Sequence, residues 1–193
     1  MNGPKLELEF NRIKQTHKKA LRHRAARVVL GSSVVRVFRA GTKGKLLPLL
    51  SVIKIDSFKR LRHQADFKLW FEKALSKLAS AIKACNHNNS RIQPGYKWGH
   101  AAKVLTLYIR EIVLNSRYFS DHEVRRIQKW LYVPIDGILI RRLQKLDVTL
   151  AFDRIKEIDT AEKFFWIQEQ LEIAAKKTGV PKVWFDDNWG DRQ

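Results

Sequence analysis

The stretch IQPGYKWGHAAKVLTLYIREI, residues 92–112, begins as a turn and continues as a helix. Pro94 and Gly95 favour the turn. The apolar residues that follow recur at helical spacing, which predicts a helix over residues 97–115. Because they form two apolar stripes, we expect this helix at the centre of its bundle. The first stripe comprises Ala101, Val104, Leu105, Tyr108, Ile109 and Ile112, and the second comprises Gly99, Lys103, Leu107, Arg110 and Leu114.

Two basic residues, Lys103 and Arg110, lie in the second stripe, on a face that is otherwise suited to burial. A lysine in such a place usually extends its amine to solvent or pairs with a carboxylate, which is a purely structural role. Burial and a neighbouring cation also lower the pKa of a lysine amine and make it nucleophilic near neutral pH. The pattern itself therefore leaves Lys103 open between a structural and a catalytic role.

The segment YVPID, residues 132–136, supplies a carboxylate at the start of another predicted helix. Pro134 sets a turn, and Asp136 is placed to cap the helix that begins at Gly137. A carboxylate at a helix N-terminus is also stabilised in its ionised form by the helix dipole. The cap and a catalytic carboxylate are compatible roles for Asp136.

The rest of the chain also favours helices, and the fold class that we expect is mostly α. Residues 34–38, VVRVF, have β-branched character, and residues 41–45, GTKGK, are predicted to form a flexible basic turn. We expect a basic helical extension over residues 1–55 and a compact core over residues 56–193. Further helices are predicted over 5–29, from an Asp56-Ser57 cap to about Cys85, over 122–131 after a cap at Asp121, over 136–146, and over 161–178 between Thr160 and Gly179.

Positive charge dominates the composition. The 193 residues contain 38 Lys and Arg against 19 Asp and Glu, a formal net charge of +19. The excess lies in residues 1–145, which carry 31 basic and 9 acidic side chains, whereas residues 146–193 carry 7 and 10. A positive field of this size is typical of nucleic-acid binding, although it also fits association with a ribosome or an anionic membrane. The six Trp residues argue against a simple basic tail.

Several classes of function are disfavoured by what the sequence lacks. The single cysteine, Cys85, rules out an internal disulfide and a cysteine-based zinc site. Because no apolar run approaches the ~18 residues of a membrane span and no signal-peptide core is present, we expect a cytoplasmic protein without membrane contact. The sequence suggests no obligate protein partner, so we expect a monomer. Phosphate-binding glycine loops and His-Glu metal motifs are missing, and the six histidines are scattered, so no metal or cofactor is expected.

A turn before a helix that carries a lysine, followed by Pro-x-Asp at the start of another helix, resembles the helix-hairpin-helix DNA glycosylase superfamily. The likeness is closer to the archaeal 8-oxoguanine glycosylase branch, in which the lysine and the aspartate are farther apart. Here the resemblance covers residues 92–142, and 33 residues separate Lys103 from Asp136. It implies a glycosylase-like helical bundle in which Lys103 is the Schiff-base nucleophile, Asp136 the catalytic carboxylate and Arg110 a second cation.

Two positions depart from the family pattern. Lys97 stands where a second glycine of the hairpin turn is usual, and Gly99 stands where the commoner branches place their catalytic lysine. Lys97 is therefore an alternative nucleophile to Lys103.

A glycosylase must hold the phosphate backbone of DNA and enclose a base that it rotates out of the stack. The aromatic residues near the C-terminus, in VWFDDNW at 183–189, could either enclose such a base or pack the C-terminal segment onto the bundle. The residues predicted to contact DNA are Lys18, Lys19, Arg22, Arg24, Pro94, Gly95, Gly99 and Arg110. The flat side chains predicted for a base pocket are Tyr96, Trp98, Trp184 and Trp189.

Together these features predict a DNA glycosylase that excises a modified base and leaves an abasic site, with or without subsequent lyase cleavage. The base would be an oxidised purine in DNA repair or a hypermodified base of phage DNA in antiviral defence. The alternative is a non-catalytic helical protein that binds DNA or RNA, in which Lys103 and Asp136 form a structural pair.

Overall fold

The computed structural model describes residues 3–38, 40–85, 96–145 and 154–186. Helices make up most of these residues and no strand occurs among them, which confirms the mostly α class. The α-helices are α1 (Gly3–Gly31), α2 (Thr42–Ser51), α3 (Gln64–Cys85), α4 (Tyr96–Arg110), α5 (Asp121–Ile127), α6 (Gly137–Lys145) and α7 (Ala161–Thr178). Shorter 3-10 turns lie at Ser33–Val37, Ile55–Lys59, Ile155–Glu157 and Lys182–Asp186, and a π-helical turn at Glu111–Asn115 extends α4.

Helix α4 is a central element of the bundle, as its two apolar stripes predict. It contacts α1, α3 and the 3-10 turn Ile155–Glu157. Every residue of its first stripe is buried, and Tyr108 is among the largest fully buried side chains. Burial of one such side chain stabilises a fold by roughly 1.5–3 kcal/mol, so this stripe anchors α4 in the core. In the second stripe Lys103, Leu107 and Arg110 are only partly buried, which places them at the edge of the core.

An aromatic cluster joins α3 and α7 to the segment that precedes α6. The ring of Tyr132 meets Phe71 of α3 edge-on at 4.9 Å and Phe164 of α7 edge-on at 5.5 Å. Phe71 and Phe164 stack on each other at 5.5 Å. Such aromatic pairs contribute about 0.5–1.5 kcal/mol beyond the burial of their area. The cluster therefore fixes the chain just ahead of Asp136.

The two halves of helix α1 lie in different environments. Its first half is exposed to solvent, including the apolar side chains of Phe10 and Ile13, while Ala26 and Leu30 near its C-terminus are fully buried. Helix α2 packs against α1 and adds Leu46 and Leu50 to the same core. Residues of α1 and α2 thus share one core with residues of α3, α4 and α7.

The ends of α7 agree with the sequence pattern. The Thr160 side chain accepts a hydrogen bond from the backbone N–H of Lys163, and Gly179 ends the helix in the left-handed region at φ 71°. Glycine has no Cβ to oppose this conformation. The cap of α5 lies one residue earlier than predicted, because Ser120 forms a reciprocal capping box with Glu123.

Two local predictions are wrong, the flexible turn at residues 41–45 and the helix cap at Asp56. Residues 42–45 form the first turn of α2. Residues 34–37 lie in a 3-10 turn in spite of their β-branched character. Gly44 and Pro48 weaken the helical signal of α2, but burial of its leucines against α1 outweighs that weakness. Helix α3 begins at Gln64, where Asp66 accepts hydrogen bonds from the backbone N–H groups of residues 62 and 63. Asp56 caps no helix, because its carboxylate is bound by other side chains.

Candidate functional site

The buried segment 131–136 carries Asp136 to its place. The side chain of Gln168 on α7 accepts a hydrogen bond from the backbone N–H of Val133 at 2.9 Å and donates one to the Val133 carbonyl at 2.8 Å. A buried extended chain needs partners for both backbone groups, and this glutamine supplies them as a neighbouring strand would. The segment is therefore held rigidly between α3 and α7.

Asp136 caps α6. Its Oδ1 accepts hydrogen bonds from the backbone N–H groups of Ile138 at 2.9 Å and Leu139 at 3.0 Å. These are the donors that a helix leaves without partners at its N-terminus. The cap uses one carboxylate oxygen and leaves the other, Oδ2, directed towards α4.

Lys103 binds this second carboxylate oxygen of Asp136. Its Nζ donates to Asp136 Oδ2 at 3.1 Å, and the two side chains are 14% and 12% exposed. Helix α4 and the start of α6 are thus joined by a nearly buried ion pair. The carboxylate is fixed by backbone donors on one side, while the flexible lysine reaches it from the other.

Gly99 sets the position of α4 one turn before Lys103. It is buried, and a Cβ at this position would collide with the backbone carbonyl of Ile155 and lie 3.0 Å from that of Ile158. The close approach of α4 to this 3-10 turn accounts for the glycine. Gly99 thus packs against the backbone of this 3-10 turn, and the DNA contact predicted for it stays a prediction.

The other predicted residues of α4 are placed only in part. Arg110 lies at the C-terminus of α4, two turns after Lys103, and is partly buried. Tyr96 and Lys97 form the first residues of α4, but their side chains lie outside the described part of the chain. Pro94, Gly95 and Trp189 also lie outside the described residues. The roles given to these residues stay predictions.

The two described tryptophans of the predicted base pocket have different surroundings. Trp98 is partly buried and meets Phe164 of α7 edge-on at 5.7 Å, so it extends the aromatic cluster. Trp184 lies in the 3-10 turn after α7 and is 51% exposed. Trp98 thus contributes to packing, whereas Trp184 presents a flat ring at the surface.

Two of the predicted DNA contacts on α1 are engaged inside the protein. Lys18 Nζ donates to Asp56 Oδ1 at 2.7 Å, and Arg22 Nη1 lies 3.4 Å from Oδ2 of the same carboxylate. The hydroxyl of Tyr118 accepts from Arg22 at 3.1 Å and donates to Asp56 at 2.7 Å. Lys19 and Arg24 are exposed. The i, i+4 spacing of residues 18 and 22 was the available signal for this shared carboxylate.

The contacts around Asp56 shift the pKa values of both Asp56 and Tyr118. Burial alone would raise the pKa of the Asp56 carboxyl, but hydrogen bonds from Lys18 and Tyr118 and the charges of Lys18 and Arg22 outweigh burial and lower it. Burial and the hydrogen bond to Asp56 raise the pKa of Tyr118 to about 12. The carboxyl is therefore ionised and the phenol protonated near neutral pH.

A second buried lysine has no counterpart in the sequence analysis. Lys182 Nζ lies 3.1 Å from Glu172 Oε2 of α7 and 5.2 Å from the centroid of the Tyr132 ring. It lines a cavity of about 370 Å³ together with Lys68, Phe165 and other residues of α3 and α7. Burial lowers the pKa of the Lys182 amine, while the Glu172 carboxylate opposes that shift. No local pattern in the sequence marks this pairing, because it forms only when the chain turns back after α7.

The described residues contain no cluster of three or more His, Cys, Asp or Glu side chains that could hold a metal ion. Within the same ranges, every helix falls short of the length or the apolar character that crossing a membrane requires.

Comparisons with protein-family models, with curated protein sequences and with solved structures each find no match to this chain. The resemblance to the helix-hairpin-helix glycosylases therefore depends on the motifs in residues 92–142 alone.

Proposed function

We propose that this protein is a DNA glycosylase that removes a modified base from DNA and uses Lys103 and Asp136 for the chemistry. The observation that carries the proposal is the 3.1 Å contact between the Lys103 amine and the Asp136 carboxylate at the N-terminus of α6. These are the two residues to which the resemblance gives the nucleophile and the carboxylate. The positive charge of residues 1–145 supports binding of the polyanionic substrate.

Each oxygen of Asp136 has a distinct task in this mechanism. When the base departs, positive charge develops at C1′ and the ring oxygen of the sugar, and a fixed carboxylate stabilises that charge. Oδ1 keeps the carboxylate in place through its hydrogen bonds to α6. Oδ2 accepts the hydrogen bond from Lys103 Nζ, so it is the oxygen that can take a proton from the attacking amine or water.

With Lys103 as nucleophile, its deprotonated amine attacks C1′ and forms a C–N bond. The glycosidic bond breaks, its electron pair leaves with the base, and the base takes a proton from water or from the Asp136 carboxyl that received the proton of the amine. Opening of the sugar ring then gives a Schiff base, from which strand cleavage can follow. If Asp136 instead activates a water molecule, the same bond breaks and an abasic site remains.

The substrate follows only from the resemblance, which implies an oxidised purine. A hypermodified base of phage DNA is the second possibility, and it fits the same chemistry because the leaving group changes while the attack at C1′ does not. Release of bases from DNA of several sources, including phage DNA, separates the two.

The test of catalysis is the substitution Asp136→Asn. Asparagine caps a helix nearly as well as aspartate, but it removes the negative charge that Lys103 contacts, so some stability is lost and excision is measured well below the melting temperature of the variant. Loss of the charge should lower single-turnover excision by about 100-fold or more. Glu172→Gln is the matched control, since it neutralises the partner of the other buried lysine, and it should leave excision unchanged. Full excision by Asp136→Asn would remove the main support of the proposal.

A non-catalytic nucleic-acid-binding protein is the second candidate, favoured by the near-complete burial of both partners of the pair. A structural ion pair can be replaced by uncharged residues at little loss of stability, provided that both partners change together. The double variant Lys103→Met/Asp136→Asn keeps the cap and removes both charges. If the wild type and this variant release no base from any DNA and bind it equally, the pair is structural.

A further inference from the structure

A basic cavity of about 720 Å³ lies between α1 and the segment that follows α2. Its volume is within the range of ~300–1,000 Å³ that is usual for ligand sites. We call it the α1 groove. It is lined by Thr16, Lys19, Ala20, Arg22 and His23 on α1 and by Ser51, Val52, Lys54, Asp56, Ser57 and Arg60 on the facing segment.

The α1 groove combines several cations with a single carboxylate. Lys19 on one wall and Lys54 and Arg60 on the other are exposed, and none of the three forms an ion pair with another described residue. His23 lies beside them on α1 and adds charge when protonated. Cations that face each other across a cavity without anionic partners repel one another, so an anionic ligand would stabilise this arrangement.

The carboxylate of Asp56 does not neutralise these cations, because it is already bound. Lys18 at 2.7 Å and Arg22 at 3.4 Å face its two oxygens, and the Tyr118 hydroxyl donates to it as well. Two positive charges on one negative charge leave this cluster with a net charge of about +1. The α1 groove therefore keeps a positive potential although Asp56 is one of its lining residues.

The wall opposite α1 is held rigidly by α5. The guanidinium of Arg126 donates hydrogen bonds to the backbone carbonyls of Phe58, Lys59 and Leu61 at 3.0–3.1 Å. Lys59 is in turn paired with Glu123 at 2.9 Å. A binding wall that is fixed before the ligand arrives loses less conformational entropy on binding.

We infer that the α1 groove binds the phosphate backbone of a nucleic acid through Lys19, Lys54 and Arg60, while Lys18 and Arg22 hold its shape through Asp56. The large positive charge of residues 1–145 favours a polyanion over a single small anion. The inference rests on the nucleic-acid binding part of the proposed function and is independent of the catalytic part.

The first test compares two triple variants with equal loss of charge. Lys19→Ala/Lys54→Ala/Arg60→Ala removes the groove cations, and Lys129→Ala/Lys176→Ala/Lys177→Ala removes three exposed lysines elsewhere. Affinity for a duplex oligonucleotide is measured across a salt series, on the Asp136→Asn background so that excision is slow on the time scale of the measurement. The slope of log affinity against log salt should fall by about 2–3 for the groove variant and by less than about 1 for the control. Equal changes in slope would overturn the inference.

The second test needs no substitution in the groove. Exposed lysines of the wild-type protein are acetylated with and without the oligonucleotide, and the modified positions are read by mass spectrometry. DNA should reduce acetylation of Lys19 and Lys54 by several-fold and leave that of Lys176 unchanged, while Lys18 should react slowly in both samples. Equal protection of Lys54 and Lys176, or none at Lys54, would contradict the inference.

Other anionic surfaces are tested in the same assays. Vesicles with acidic lipid headgroups and inorganic phosphate take the place of the oligonucleotide, and neither should protect Lys54 at the concentrations at which DNA does. Stronger protection by vesicles than by DNA would overturn the choice of a nucleic acid. A protein that binds DNA through this groove but releases no base would leave the inference intact and disprove the glycosylase proposal.

Discussion

Two lysine–carboxylate pairs in the described part of the chain bury most of the lysine side chain and share a 3.1 Å separation, but they differ in how far the carboxylate is exposed. In the pair of Lys103 and Asp136 the side chains are 14% and 12% exposed, so both partners are withdrawn from solvent to a similar degree. In the pair of Lys182 and Glu172 the lysine is 2% exposed and the glutamate 34%. The second pair thus buries its cation and leaves its anion near the surface.

The difference shows which partner the fold holds in place. Asp136 is fixed by the N-terminus of α6, so the carboxylate is rigid and the lysine can rearrange around it. Lys182 is fixed over the ring of Tyr132, so the amine is rigid and the glutamate can move. A reaction that needs a stationary carboxylate and a mobile amine fits the first pair, whereas the second pair resembles a buried cation with a compensating charge.

The largest effect should come from removing each carboxylate in turn. Asp136→Ala removes the carboxylate that contacts Lys103 and the cap of α6, and loss of one member of a buried ion pair costs about 3–5 kcal/mol. Glu172→Ala should lower the free energy of unfolding by only about 1–3 kcal/mol, because the buried Lys182 amine can give up its proton, which burial already favours, instead of keeping an uncompensated charge. Urea unfolding at pH 7 measures both. Equal losses would mean that the two pairs are energetically alike.

A second variant shifts α4, and with it Lys103, without changing either residue of the Lys103–Asp136 pair. Gly99→Ala places a methyl group against the backbone of the 3-10 turn Ile155–Glu157 and should lower the free energy of unfolding by about 1–3 kcal/mol, since overpacked backbone cannot yield easily. Gly44→Ala, in open space on α2, is the control and should stabilise the protein by roughly 0.5–1 kcal/mol. Thermal melting distinguishes the two, and an unaltered Gly99→Ala protein would contradict the close approach.

The titration of Lys182 gives a pH-dependent comparison. Because burial lowers its pKa in the folded protein, the unfolded chain binds more protons between the folded and unfolded pKa values, and this group's contribution to stability rises with pH there. Glu172→Gln removes a charge that opposes the shift, so the rise from pH 7 to 10 should be steeper, by ~1.4 kcal/mol for each further pKa unit. Lys182→Met is the reference without this group. A Glu172→Gln profile parallel to that of Lys182→Met would show that Lys182 does not titrate in this range.

The smallest effect is expected at Asp56, whose ion cluster is more exposed than either pair. Its folded pKa is below the unfolded value, so the stabilisation is present above the unfolded pKa and is lost as pH falls through the folded pKa. Asp56→Asn should lower the free energy of unfolding by about 0.5–1 kcal/mol at pH 7 and by nothing measurable at pH 2. Urea unfolding at the two pH values gives the comparison. The same loss at both would assign the effect to packing instead of charge.

Local signals account for the parts of the structure that the sequence predicts. The caps at Asp136 and Thr160 and the stop at Gly179 depend on neighbouring residues, so they are visible in a short window. The stripes of α4 likewise place Lys103 on a partly buried face. The candidate pair could therefore be predicted, although its contact distance could not.

Features that depend on distant parts of the chain could not be predicted in this way. The clash partner of Gly99 is a carbonyl near residue 155, and Asp56 is bound by residues of α1 and by Tyr118. Asp56 resembles a helix cap in the sequence because its carboxylate precedes a helical pattern. In the fold its carboxylate instead pairs with Lys18 and Arg22 of α1. Tertiary contacts outweigh local propensity at such positions.

The π-helical turn Glu111–Asn115 at the end of α4 determines where this part of the fold can change in length. A π turn holds about one residue more than an α turn, so deleting one residue within it would restore α geometry and leave the direction of the following chain nearly unchanged. An insertion or deletion in the regular part of α4 would instead rotate the following chain by about 100° and carry Tyr118 away from Asp56. During divergence single-residue changes of length should therefore be tolerated at this turn and not within α4.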